Sequence, residues 1–220
     1  MKSINITFIM ICTLLIACNT NYDKAKKHFI KAKQFYKTED YANASLEIQK
    51  SISIDSSNYD YLIYSAKIKR QLEKNNEAID VLKRNYKRDT TSYEIAISYF
   101  AKSANLNNTG ANILDKNKAL RKAIKFYDNA LNENIRYYNA YIEKYKALHN
   151  LHRYKEAIVH INQARSIFPD SIDLVLYRGI AKGTLGDAKE EMNDLNRVIG
   201  SRRLDSFNLS IAYRFRGRLH

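Results

Sequence analysis

Two histidines raise the first question about chemistry. His149 and His152 stand three residues apart, a spacing that lets both imidazoles reach one metal ion from a single helix face. No HExxH pattern accompanies them, and no carboxylate is obviously placed as a further ligand, so the pair reads more simply as solvated or half-buried. No G-x-S-x-G elbow, Walker loop or G-x-G-x-x-G turn occurs, which removes the common signatures of nucleophilic hydrolysis and of nucleotide binding. Two cysteines, Cys12 and Cys18, are too few for a disulfide scaffold or a multi-cysteine zinc module. The 17 tyrosines recur at positions such as Tyr127 and Tyr141 that suit helix packing better than a stacking platform. These residues point to a protein that is not an enzyme and uses neither cofactor nor metal.

The elements that must carry such side chains are helices. The 220 residues include one proline and six glycines, which is little punctuation for the tight turns of a sandwich or barrel. Apolar residues make up 45% and charged residues 27%, enough apolar material for a core of ordinary domain size and too much for a disordered chain.

The amino end reads differently from the rest. After Met1-Lys2-Ser3, an almost unbroken apolar run extends from Ile4 to Ala17. As a helix it would span roughly 21 Å, short of a hydrocarbon core of about 30 Å, so it reads as an export signal. Leu15-Ile16-Ala17-Cys18 resembles the bacterial lipobox: an aliphatic residue, a small residue before the cut, then the cysteine that receives the lipid. The resemblance implies a signal peptide over 1–17, a lipidated Cys18, and a short tether over 18–22. The alternatives are an ordinary signal peptide cut near this point or a short membrane anchor. Asn19 after the cysteine, where an aspartate would mark inner-membrane retention, favours the outer membrane if the source has one. The expected location is the cell envelope, with two or three acyl chains as anchor.

From residue 23 onward the sequence repeats itself. Ala44, Ala78, Ala123 and Ala157 head similar segments, with spacings of 34, 45 and 34, and Glu191 heads a fifth segment another 34 on. Within each segment a small residue is followed four later by a bulky one and three later by another small one: Ala44/Ile48/Ser51, Ala123/Tyr127/Ala130 and Ala157/Ile161/Ala164. Ala78/Leu82/Asn85 fits less well at its last place. Small residues let helices approach closely, and the large one fills the gap between them.

This looks like the tetratricopeptide repeat (TPR), a 34-residue helix–turn–helix, and covers residues 23–220. The resemblance implies an all-α solenoid of about five repeats, near 25–58, 59–92, 93–137, 138–171 and 172–205, with a terminal helix over 206–220. The first helices should carry a bulky residue and then a small one four later. Leu62/Ala66 and Val175/Gly179 fit, whereas Ala96/Phe100 and Tyr141/Tyr145 lack the small residue. The third repeat holds about eleven extra residues, 105–115, rich in Asn, which read as an inter-helix loop or as an extension of one helix. In the terminal helix Ile211, Phe215 and Leu219 share a face with Ala212, and Arg214 and Arg218 are expected opposite. That helix is either a solenoid cap or the start of a sixth repeat.

In such arrays the first helices line a concave groove. By alignment one groove place per repeat holds Lys33, Lys67, Ala101, Lys146 and Ile180, and neighbouring places hold Lys26, Tyr36, Tyr64 and Arg70. The candidate binding residues are therefore Lys33, Tyr36, Tyr64, Lys67, Arg70 and Lys146. They do not reproduce the carboxylate clamp of chaperone-binding members, so capture of a C-terminal carboxylate is not implied. Loss of the leader removes only Lys2 and takes the formal net charge from +14 to +13. In an exported protein that charge points to acidic proteins, anionic headgroups or envelope glycans rather than nucleic acid. The expected function is a membrane-anchored, non-catalytic adaptor that holds a protein or an acidic peptide segment. The competing reading is a basic solenoid that binds an anionic glycan or peptide for uptake or sensing.

Overall fold

Burial of the small–large–small stripe decides how the helices pair. The structure is a computed structural model, and it describes residues 21–84, 89–110 and 112–218. Among these every regular element is a helix, and no helix is long and apolar enough to cross a membrane. The leader, Cys18, Asn85 and Leu219 lie outside the described residues. The chain divides into two compact units, residues 1–87 and 88–220.

The first unit holds α1 (21–37), α2 (Tyr41–Ile54), α3 (Tyr59–Gln71) and α4 (Asn75–Arg84). Ala44, Ile48 and Ser51 of α2 are buried, and the Ser51 hydroxyl donates to the Ala25 carbonyl at 3.0 Å. That bond ties α2 to α1, and it explains why a serine stands where an alanine would otherwise pack. His28 of α1 meets the Glu47 carboxylate at 2.7 Å, and Lys50 joins it at 2.6 Å. These hydrogen bonds hold the Glu47 carboxyl down to about 2.

The second unit holds α5 (Asp89–Asn108), α6 (Ile113–Glu133), α7 (Tyr138–Asn150), α8 (Tyr154–Ile167), α9 (Ile172–Thr184), α10 (Ala188–Ser201) and α11 (Ser206–Arg216). Ala123/Tyr127/Ala130 and Ala157/Ile161/Ala164 are completely buried. In α10 the same places hold Glu191, Leu195 and Val198, all buried, and the Glu191 carboxylate rests where a side chain at Gly183 would stand. Burial raises the Glu191 carboxyl above its ordinary range. Full burial of such an aliphatic side chain contributes about 1.5–3 kcal/mol, so the stripe is the main force behind the pairing.

The turns inside the helix pairs repeat too. Glu39, Glu73, His152 and Gly186 all have a left-handed backbone, with φ of 61°, 60°, 58° and 88°. At each, the N–H of the left-handed residue reaches back three residues, as in Glu39 to Tyr36, and the next N–H reaches back five, as in Asp40 to Phe35. This is the Schellman ending, which satisfies the last helix carbonyls. Between pairs, Asn58 caps α3 by accepting from the Asp60 N–H at 3.1 Å. Ser171 makes no such cap on α9; its hydroxyl instead meets Tyr138 Oη at 2.7 Å.

The extra residues of the third repeat lengthen both helices. Residues 105–108 complete the 20-residue α5 and 113–115 open the 21-residue α6, where Asn112 caps by accepting from the Leu114 N–H. No proline interrupts the segment, and Lys116 bridges to Asn107 at 3.0 Å, so the added turns zip together instead of looping out.

The terminal helix departs from expectation in one respect. Ala212 is buried against the α9–α10 core with Ile211 and Phe215 beside it, but Arg214 and Arg218 do not lie opposite. Their guanidinium groups sit 5.5 and 3.9 Å from the centre of the Phe215 ring, because Arg214 and Arg218 stand three and seven residues after Ile211 and so share the side of the helix that carries Phe215.

Candidate binding surfaces

On α1, Tyr22, Lys26, Phe29, Lys33 and Tyr36 follow each other at intervals of three and four, the spacing of one helix face. α3 contributes Tyr61, Tyr64, Lys67 and Gln71 by the same rule. The two faces meet. Phe29 packs on Tyr61 and Tyr64 with ring centres 4.8 and 5.3 Å apart, and Tyr36 lies 5.5 Å from Tyr64. Gln71 donates to Tyr36 Oη at 3.2 Å and fixes that ring.

The lysines lie on this aromatic floor. Lys33 Nζ is 4.1 Å from the Phe29 ring centre, and Lys67 Nζ is 4.7 Å from that of Tyr36. Both also approach Tyr64, at 6.0 and 5.7 Å. Each contact contributes about 0.5–1 kcal/mol at an exposed site. Neither lysine has an ion pair among the described residues. Partial burial, reinforced by Tyr36, raises the Tyr64 hydroxyl pKa, so the phenol stays neutral and cannot serve as the missing anion. Four of the six groove candidates, Lys33, Tyr36, Tyr64 and Lys67, are thus gathered on one surface. Arg70 is half-buried in the last turn of α3.

Lys146 belongs to the second unit and differs in kind. It is paired with Glu143 at 2.7 Å and lines a cavity of about 310 Å³ with Phe100, Tyr145, His149 and Tyr177. Phe100 and Tyr145 are the two bulky residues that replace the small one of the repeat pattern. The sequence singles them out as departures, without showing that their rings form a wall.

His149 and His152 do not share a helix. His149 is on α7, whereas His152 occupies the left-handed turn after it and meets Tyr154 Oη at 2.6 Å. The Schellman ending diverts the second imidazole. Among the described residues no group of three or more His, Cys, Asp or Glu is placed to hold a metal ion.

Solved structures match this arrangement of helices. A tetratricopeptide repeat protein from Parabacteroides merdae ATCC 43184 superposes with a TM-score of 0.68 at 19% identity, over 90% of this chain and 72% of that one. The fold is that of a TPR α-solenoid. A thermophilic TPR protein of Thermus thermophilus gives 0.64 at 15% identity, over 89% of this chain and 98% of that one. YrrB, a TPR protein with an unusual peptide-binding site, gives 0.59 at 15% identity, over 91% and 95%. No family model matches the chain, and no curated protein matches it. Identities this low establish the TPR fold and leave the ligand to be argued from the side chains.

Proposed function

We propose that this TPR chain is a non-catalytic adaptor of a bacterial cell envelope, tethered by lipid on Cys18, that holds an acidic protein segment against the lysine–aromatic surface of α1 and α3. One observation carries the ligand class. Lys33 and Lys67 rest on rings with no carboxylate paired to either among the described residues, so an incoming acidic side chain gains a charge-assisted contact without displacing an internal one. The rings add apolar area next to the charges, which suits a protein segment of mixed acidic and apolar residues. The formal net charge, +14 for the full chain and +13 once the leader with Lys2 is lost, favours encounter with acidic partners.

The test uses the full chain purified from membranes, with a tag at the carboxyl end. Lys33→Glu together with Lys67→Glu should abolish capture of the envelope partner and of a synthetic Glu-rich peptide, whereas Lys33→Arg with Lys67→Arg should retain both. Unchanged capture by the charge-reversed chain removes this surface from consideration. Salt-sensitive binding to purified anionic glycan, with no protein captured, would favour the glycan reading instead. For the tether, an alkyne fatty acid should label the wild-type chain in cells and not Cys18→Ser.

A further inference from the structure

The helix pair of the third repeat is longer than its neighbours at one end only. Ala44 and Ala157 each stand three residues after the first residue of their helix, whereas Ala123 stands ten after the first residue of α6. α6 therefore starts about two turns early, roughly 10 Å of helix. The last turn of α5 runs beside this extension, joined to it by Lys116 and Asn107 at 3.0 Å. The described residues at the end of the pair, 107–110 and 112–115, are all exposed. The α5–α6 hairpin thus ends in a helical finger that stands clear of the packed stripe.

Two aliphatic side chains form the tip. Ile113 and Leu114 are 59% and 68% exposed, just after the Asn112 cap. Other exposed aliphatics among the described residues, such as Leu46 and Val159, have no exposed apolar neighbour in the chain and need no explanation. Positive charge surrounds the base of the finger. Between Ala101 and Phe126 the chain carries six basic residues and one acid, Asp115. Lys116, Lys118, Arg121 and Lys122 have no carboxylate partner among the described residues. Lys102, Lys118 and Lys122 line a cavity of about 300 Å³ with Tyr99, and Lys122 Nζ is 5.3 Å from the Tyr99 ring centre.

Whatever covers this tip must accept a convex apolar point above a belt of cations. A protein would need a matching concave pocket with an acidic rim. An anionic bilayer supplies both properties without a built pocket, because its interface yields around an apolar wedge and its phosphates lie just above. The spacing agrees: Lys116 and Lys118 follow Leu114 by about 3 and 6 Å along the helix, within the roughly 5–10 Å to which interfacial elements sink. Two aliphatic side chains hold a membrane weakly by themselves, and each cation near an anionic surface strengthens adsorption about fivefold.

We propose that the α5–α6 tip is a membrane-docking element, which seats Ile113 and Leu114 in the interface of an anionic bilayer and sets Lys116, Lys118 and Lys122 against its headgroup phosphates. The inference rests on the envelope reading for the presence of a bilayer, but uses neither Cys18 nor the α1–α3 surface.

The chain contains no tryptophan, so Leu114→Trp places a single indole at the tip. The full chain is reconstituted in vesicles of phosphatidylcholine alone, or with about one-third phosphatidylglycerol, all with brominated acyl chains that quench a nearby indole. Leu114→Trp should be quenched, with blue-shifted emission, in the anionic vesicles and should keep its aqueous emission in the neutral ones. Val159→Trp, on the exposed side of α8, should stay unquenched in both. Adding Lys116→Glu and Lys118→Glu to Leu114→Trp should abolish the quenching, whereas Lys116→Arg with Lys118→Arg should keep it. If Leu114→Trp does not fold, Ile113→Trp gives the same readout. Equal quenching in neutral and anionic vesicles overturns the inference, as does equal quenching of Leu114→Trp and Val159→Trp. Absence of quenching overturns it too, and is the result expected if the tip seats in a protein. Failed fatty-acid labelling of Cys18 beside a quenched tip would remove the lipid tether and keep the docking element.

Discussion

The Asp194 carboxylate is gripped from two sides by one guanidinium: Arg178 Nε donates to Oδ2 at 2.8 Å and Nη2 to Oδ1 at 2.5 Å, joining α9 to α10. Asp194 is 5% exposed at its side chain and Arg178 19%, so both charges are largely out of water. The hydrogen bond to Asp194 raises the Arg178 pKa, which keeps the cation fixed. Removing Asp194 strands the guanidinium, and removing Arg178 leaves the carboxylate only the Lys182 ammonium, 4.0 Å away. Arg178→Ala should therefore destabilise the chain by about 3 kcal/mol, Asp194→Ala by a similar amount, and the double variant by clearly less than the sum. Urea denaturation of the four proteins measures the cycle, and additive losses would show that the pair does not act as a unit.

The same helix pair depends on Gly179. A Cβ built there would stand 2.9 Å from the Cβ of Asp194, a distance that side chains do not adopt. Elsewhere in a helix, glycine to alanine gains up to about 1 kcal/mol. Here Gly179→Ala should instead cost about 1–3 kcal/mol, because α9 and α10 must separate and the Arg178–Asp194 bonds lengthen with them. A gain in the urea midpoint would mean that the helices have slack which the close approach denies.

How much of this was readable in the sequence depends on what each feature is made of. The small–large–small stripe is a matter of size, and size is written in residue types. Ala44/Ile48/Ser51 and Ala157/Ile161/Ala164 therefore announce their burial, and the period of 34 follows. The left-handed turns are not announced, because Glu39, Glu73 and His152 stand where glycine is the usual mark, and the hydrogen bonds of the helix end impose the geometry. That both α5 and α6 lengthen is not decided by the Asn-rich composition, which allows a loop or one longer helix until Asn112 is seen to cap and Asn107 to bridge. Lys33 and Lys67 were placed by alignment alone. The rings beneath them required knowing that α1 and α3 turn their aromatic faces to each other. The cavity showed only as a fault in the pattern at Phe100 and Tyr145.

The turns offer a reciprocal test. Glu39 and Gly186 occupy equivalent places in their repeats, both left-handed, one with a side chain and one without. An L side chain in that conformation costs roughly 1 kcal/mol relative to glycine. Glu39→Gly should raise stability by about 0.5–1 kcal/mol, and Gly186→Ala should lower it by about 1 kcal/mol, since nothing but backbone strain opposes the added methyl there. Thermal melts of the two single variants should move in opposite directions. Movement in the same direction would mean that the side chain at position 39 contributes something other than strain.

Acid should weaken the fold through His160. Its ring is buried against Tyr141, and its Nε2 donates to the Tyr141 carbonyl at 3.1 Å. Burial, aided by the nearby Lys144 ammonium, pushes its pKa from 6.5 down to about 3. The unfolded chain therefore takes up a proton that the folded chain refuses, and stability falls progressively as pH drops from about 6.5 towards 3. The full penalty is roughly 5 kcal/mol, reached only near the lower limit. His160→Gln keeps an N–H for the Tyr141 carbonyl and removes the titration. Its melting temperature at pH 7 should lie below that of the wild type by the loss of ring packing, yet decline less between pH 6.5 and 4.5. Below that, Glu47 adds a loss common to both proteins, because the unfolded chain protonates a carboxylate that His28 and Lys50 hold down to about 2 in the folded one. Parallel declines from pH 6.5 downward would place the acid sensitivity on some other group.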